Sequence, residues 1–169
     1  DTRTLNRFLC LDAEKGVIDV EAGIQWPELV QQLTAAQEGQ AKQWGIYQKQ
    51  TGADRLSIGG ALACNAHGRG LTLKPIVQQV DSIDVLDARG EIHTCSRSQN
   101  QNLFRLVIGG YGLFGMVVRV RLRVRPRIKV RRVVAIGETA NIIERFDERI
   151  RSGFLYGDYQ FATDDTRDS

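Results

Sequence analysis

The chain has 169 residues, 42% hydrophobic and 25% charged, with a net charge of +3. That length holds one ordinary domain or two small ones, and the composition is that of a globular protein rather than a disordered or fibrous one. No apolar run approaches the roughly 20 residues of a membrane-spanning helix and no secretory signal is visible. Cys10, Cys64 and Cys95 make neither a CxxC pair nor an even disulfide set, so a reducing, cytoplasmic setting is expected.

The sequence opens on Asp1 and stops at Ser169 soon after a fresh strand pattern begins, so an internal piece of a longer protein is expected. Val17 to Gly23 alternates as a strand. Trp26 and Pro27 then open a helix, with proline in the first turn, where its missing N–H is harmless, and Leu29, Val30 and Leu33 at helical spacing. Residues 37–50 are polar with weak periodicity and read as helix end and loop. Ser57 is a good N-cap for a short helix over 57–64. Ser82 to Asp87, a turn at Ala88 to Glu91, and Ile92 to Cys95 form a hairpin, with Gly90 in the turn.

A helix is expected over 102–108 and a strand over 116–124, ended by Pro126. In that strand Val118, Val120, Leu122 and Val124 alternate with Arg119, Arg121, Arg123 and Arg125. Basic residues crowded together invite a nucleic-acid reading. Period-two alternation without stacking aromatics favours a strand with one buried and one wet face instead. A new unit is expected after Pro126: strand 130–136, a helix over 140–152 with Ile142, Ile143, Phe146 and Ile150 on one face, and strand 154–161. The mixture of hairpins and helices gives an α+β class.

Two glycine-rich segments stand out. TGADRLSIGGALACNAHGRG, from Thr51 to Gly70, holds five glycines and His67, one of two histidines in the chain. The second, Gly109 to Gly115, reads GGYGLFG. Stretches so poor in bulk let backbone approach a ligand closely, and their freed N–H groups suit a phosphate. The bland alternative is a pair of glycine turns with no ligand. His67 suits a polar contact to a cofactor or substrate better than a general base, and His93 reads as a surface residue. Cys64 reads as a packing residue, and Tyr111 either flanks a ligand or fills the turn.

Taken in order, LNRFLCLDAEKGVIDVEAGIQWPELV, SIGGALACNAHGRG, DSIDVLDARGEIHTC and NLFRLVIGGYGLFGMVVRVRLRVRP resemble the FAD-binding (PCMH-type) domain of the vanillyl-alcohol-oxidase superfamily. The likeness runs from Leu5 to Pro126 and is nearest to aldonolactone and alditol oxidases and to the decaprenylphosphoryl-ribose oxidase branch. It implies that residues 1–50 end a first FAD-binding subdomain, 51–126 form the second, and 127–169 begin a substrate-binding domain. It implies that Gly52, Ala53, Ser57 and Gly60 lie along the flavin pyrophosphate through backbone N–H groups and the Ser57 hydroxyl. Cys64, Ala66, His67 and Gly68 match the turn beside the isoalloxazine ring, and Met116 and Val117 a stretch near the adenosine.

The upstream phosphate loop of that family, often ending in the histidine to which FAD is attached, has no counterpart in these residues, and His67 is not that histidine. No metal is expected. The implied activity is FAD-dependent oxidation of a hydroxyl on a sugar-like, polyol or aldonolactone substrate, with a second electron acceptor, O2 or other, reoxidising the flavin. A flavin reductase acting on a sugar-nucleotide enol ether and a non-catalytic α+β binding module are the rival readings. The catalytic base belongs to the substrate domain in this family, so residues 1–169 alone are expected to lack catalysis.

Overall fold

The computed structural model describes residues 2–50 and 52–161; Asp1, Thr51 and residues 162–169 lie outside the described residues. In chain order the elements are β1 (Phe8–Asp12), β2 (Val17–Glu21), α1 (Trp26–Ala35), β3 (Trp44–Gly45), α2 (Ile58–Ala63), β4 (Val80–Leu86), β5 (Ile92–Ser96), α3 (Gln101–Val107), β6 (Met116–Arg123), β7 (Arg125–Pro126) and α4 (Ile142–Arg151). Single 3₁₀ turns sit at Ile76–Gln78 and Thr139–Asn141.

The organising strand is β6. It lies at the centre of a five-stranded sheet in the order β1-β2-β6-β4-β5, with every neighbouring pair antiparallel. Val120 and Leu122 point into the core beside Ile18 and Val20 of β2 and Ile83 and Val85 of β4. Strict alternation would turn Val117 outward. It is buried, because the register with β4 steps from Asp84↔Arg119 to Val85↔Val117 and leaves Val118 unpaired as an extra residue. The bulge resets the phase on the β4 side, while on the β2 side the ladder runs on past Glu21↔Arg119, the Ala22 N–H donating to the Val118 carbonyl at 3.0 Å.

The arginines of β6 occupy the other face, as their spacing predicts, and each has a carboxylate. Asp19 lies opposite Arg121 and is buried, 3.4 Å from the Arg119 guanidinium and 3.8 Å from that of Arg121. Asp81 takes Arg123 at 3.4 Å and Arg121 at 3.9 Å. Exposed pairs of this kind are each worth little. The near-total burial of Asp19 makes its pairing the costly one to break.

The core face is covered by Leu29 and Leu33 of α1, Ile58 and Leu62 of α2, and Phe104 and Val107 of α3. Val30, expected on the apolar stripe of α1, is exposed, and Trp26 takes a buried place instead. Residues 37–50 contain β3, a two-residue strand too short to show a period. The buried Gln37 amide fixes it, donating to the Trp44 carbonyl (2.7 Å) and accepting the Trp44 N–H (2.6 Å). Pro126 pairs with Trp44 in β7 and does not simply terminate β6. The strand expected over 130–136 has no ladder, and neither does 154–161 apart from one bridge at Tyr156. Their alternating patterns meet no partner strand among the described residues. The helix expected over 140–152 forms as α4.

At the β4–β5 turn, Asp87 accepts hydrogen bonds from His93 Nε2 (2.9 Å) and from the backbone N–H groups of Arg89 (2.8 Å) and Glu91 (3.0 Å). These, the His93 bond first, hold its carboxyl well below the usual range. His93 is thus half-buried and engaged rather than a free surface residue. The Arg89 guanidinium bridges Asp87 (3.3 Å) and Glu91 (3.1 Å), so Asp87, Glu91 and His93 form an ion-pair cluster already holding its cation. Glu21 is held low by the Arg7 side chain and backbone, with Nη2 at 2.6 Å.

Two measurements check this account. Ile18→Ala, at a fully buried site, is expected to cost about 2–5 kcal/mol in urea unfolding. Because Glu21 and Asp87 ionise below their ordinary range when folded, their contribution is complete above about pH 4–5 and is lost as pH falls. Glu21→Gln is expected to lower stability at neutral pH and to flatten that acid decline. An unchanged slope between about pH 5 and pH 3 would refute the assignment.

Candidate functional site

The glycine-rich segment is built around α2. Ser57 caps it, its Oγ accepting the Gly60 N–H at 3.1 Å. The other first-turn donors are also committed: Ile58 N–H goes to the Ile24 carbonyl (2.9 Å) and Gly59 N–H to that of Ala22 (2.7 Å). The helix start is therefore fastened to the end of β2, and the Gly60 N–H expected along a phosphate is taken by Ser57. The Ser57 hydroxyl keeps its own proton to donate. The N–H groups of Gly52 and Ala53, just upstream, bond to none of the described residues. Gly52 has φ +82°, and a Cβ there would meet nothing within 4 Å. Open space above uncommitted donors, next to a hydroxyl, is the donor set a pyrophosphate requires.

After α2 the chain turns sharply. Cys64 is exposed at the helix end, its Sγ 3.6 Å from the Ala61 carbonyl, while Asn65 adopts φ +46°. Ala66 is buried and accepts the Ile76 N–H at 2.8 Å, which sets the depth of the turn. His67 is exposed, with Nδ1 3.1 Å from the Gly68 carbonyl. A carbonyl only accepts, so that contact places the proton on Nδ1. In the neutral ring Nε2 is then a free acceptor, and it donates only when the ring is charged. Gly68 follows because a Cβ would lie 2.6 Å from the Lys49 carbonyl and 2.9 Å from Gln48 Oε1.

The second glycine segment packs on the far end of α2. Gly109 N–H donates to Leu62 and Tyr111 N–H to Ala63, closing helix carbonyls that would otherwise lack partners. Tyr111 and Leu113 are 77% and 82% exposed. Both segments thus gather at one helix. Of the two predicted β6 residues, Met116 is exposed at the start of the strand and Val117 faces the core, so only Met116 offers a side chain to a ligand.

Residues 47–50 were passed over in the sequence because a polar loop without period carries no site signal. They line the site. The Lys49 ammonium pairs with Asp54, between Ala53 and Ser57, and Gln48 donates to the Lys74 carbonyl at 2.7 Å. Gln48 Oε1 and Gln50 Oε1 are buried without a hydrogen-bond partner, and Gln48 Oε1 would lie 2.9 Å from a Cβ at Gly68. Buried acceptors left unsatisfied fit a polyhydroxylated, phosphorylated group. A flavin dinucleotide has that chemistry.

The comparisons agree with that chemistry. The family model described as FAD binding domain matches residues 1–96. The chain is 39% identical over 107 residues to cytokinin dehydrogenase 3 of Oryza sativa subsp. japonica, covering 62% of this chain and 19% of the relative. It is 26% identical to L-gulonolactone oxidase of Bos taurus, covering 87% of this chain and 32% of the relative. A solved structure of alkyldihydroxyacetonephosphate synthase aligns with a TM-score of 0.61 at 20% identity, over 75% of this chain and 22% of that one. This likeness shows the fold. The chain spans between about a fifth and a third of the length of these proteins.

The glycine and histidine of the turn separate by substitution. Gly68→Ala is expected to displace the 67–70 turn from Lys49 and lower the melting temperature. His67→Ala, at an exposed side chain, is expected to stay within about 0.5 kcal/mol of wild type while changing ligand contacts. Thermal scans of both variants check this, and equal melting temperatures would contradict the packing described for Gly68.

Proposed function

The chain belongs to the FAD binding domain family, and we propose that it serves an oxidoreductase that removes hydrogen from a hydroxyl-bearing carbon of a sugar-like, polyol or aldonolactone substrate. The cofactor is FAD, and the fold is the α+β fold of the PCMH-type domain. The relatives' names span a dehydrogenase of cytokinin and an oxidase of gulonolactone, so the family alone leaves the substrate open. The observation that carries the reading is the exposed His67 ring in the glycine-rich turn, whose Nδ1 lies 3.1 Å from the Gly68 carbonyl and whose Nε2 can accept a hydrogen bond from a hydroxyl.

FAD, when bound, supplies a two-electron acceptor. The protein's part is to bind and orient. Gly52, Ala53 and the Ser57 hydroxyl would take the pyrophosphate, and Gln48 and Gln50 the ribityl chain. Cys64, Ala66 and Gly68 shape the turn beside the ring system, and Met116 an apolar edge. The Nε2 lone pair of His67 can accept a hydrogen bond from a substrate hydroxyl or a flavin-side N–H, a polar contact that orients whichever group it meets. Its position in a flexibly hydrated, exposed turn suits a contact more than a buried general base.

The test is spectroscopic. Purified protein given FAD and then desalted is expected to retain the flavin visible bands, and the pellet or supernatant after acid precipitation reports whether the link is covalent. Anaerobic addition of an aldonolactone or a polyol is expected to bleach those bands in protein that carries these residues together with the substrate-binding domain. Protein that emerges colourless once unbound FAD is removed would defeat the proposal. Bleaching by NADPH but by no alcohol would move the assignment to a reductase.

A further inference from the structure

Part of the segment expected to begin a substrate-binding domain packs against the His67–Gly68 turn. Gly70 and Tyr156 form an antiparallel bridge. On either side of it, Leu71 N–H donates to the Leu155 carbonyl (3.0 Å) and Gly157 N–H to the Arg69 carbonyl (2.9 Å). The Arg69 guanidinium meets Asp158 at 3.1 Å. Tyr156 continues across the turn, its hydroxyl donating to the Tyr47 carbonyl at 2.5 Å. Residues 69–71 are therefore sandwiched between 47–49, against which Gly68 is pressed, and 155–158.

We propose that residues 155–158 are a positioning strap for the His67–Gly68 turn, locked by the Arg69–Asp158 ion pair. The inference rests on the flavin reading above. The turn has two exits. Ala66 is held on one side by Ile76, and Arg69 to Leu71 on the other by Leu155 to Gly157. With both exits fixed, the direction of the His67 ring follows from the strap, 88 to 91 residues further along the chain. The ring itself makes only the short-range contact to Gly68 that the turn dictates.

Gly157 shows how close the strap lies, since a Cβ there would come within 3.1 Å of Leu71. The ion pair is the adjustable part of this arrangement. Arg69 and Asp158 are 43% and 37% exposed, so the pair can open without unpacking any core residue. Whatever moves 155–158, substrate included, would then reach the flavin-side turn through Arg69. Neither residue needs to touch the reacting atoms for this; they act through His67 and Gly68.

Arg69→Gln, Asp158→Asn and the exchange Arg69→Asp/Asp158→Arg test the strap. FAD titration and the band shape of the bound flavin are the readouts, with thermal scans of the FAD-free proteins alongside. Each single variant is expected to bind FAD on the order of threefold to tenfold more weakly and to alter the band shape, with little change in melting temperature. The exchange is expected to restore both to near wild type. Single variants that match wild type, or an exchange that recovers nothing, overturn the inference while leaving the flavin assignment standing. Wild-type protein that takes up no FAD defeats the flavin assignment itself.

Discussion

The site depends on where two carbonyls at the exit of β2 point. Ala22 and Ile24 receive the N–H groups of Gly59 and Ile58, and Ala22 in turn donates to the Val118 carbonyl, the rung that follows Glu21↔Arg119 in the β2–β6 ladder. The central strand thus locates β2's exit, and that exit locates α2. Ser57 at its start, Cys64 to Gly68 at its end, and Gly109 and Tyr111 over its last carbonyls all hang from this short helix. Gly59 has no room for a side chain in the arrangement, with a Cβ 3.0 Å from the Ala22 oxygen.

This division of labour changes what the glycines mean. A glycine-rich segment suggests a backbone bared to a ligand, and Gly52 fits that description. Gly59 and Gly68 do not, because protein carbonyls fill the space a Cβ would take. Their smallness serves the fold first and the ligand through it. Substituting them therefore confuses lost packing with lost binding, whereas Ser57, His67 and Arg69 report on contacts more directly.

The long strands and the hairpin were legible because one face of each is buried, and period two survives in Val120, Leu122, Ile83 and Val85. The arginine alternation in β6 reads correctly for the same reason. Val117 was not legible as a core residue, since a bulge depends on the partner strand and leaves no mark in local pattern. β3 escaped because two residues cannot show a period and its anchor, Gln37, lies outside it. Residues 130–136 and 154–161 carried a strand pattern that describes side-chain chemistry, whereas a strand also needs a neighbour. The glycine motifs marked the two segments that the structure gathers at α2. Gln48, Lys49, Gln50 and the returning strap had no motif, because their role arises only when distant segments meet.

The ion-pair cluster at the β4–β5 turn bears on how the molecule behaves in a crowd of its own copies. β5 is an edge strand of the main sheet and carries the exposed Ile92, a combination that invites another chain to add on. Asp87, Arg89 and Glu91 place charges beside that residue, and Asp87 keeps its charge well into acid. An approaching strand would have to strip water from this group before gaining a single backbone bond. The turn thereby acts as a guard against edge-to-edge aggregation, placed at the end of the sheet where an apolar side chain would otherwise offer a first foothold.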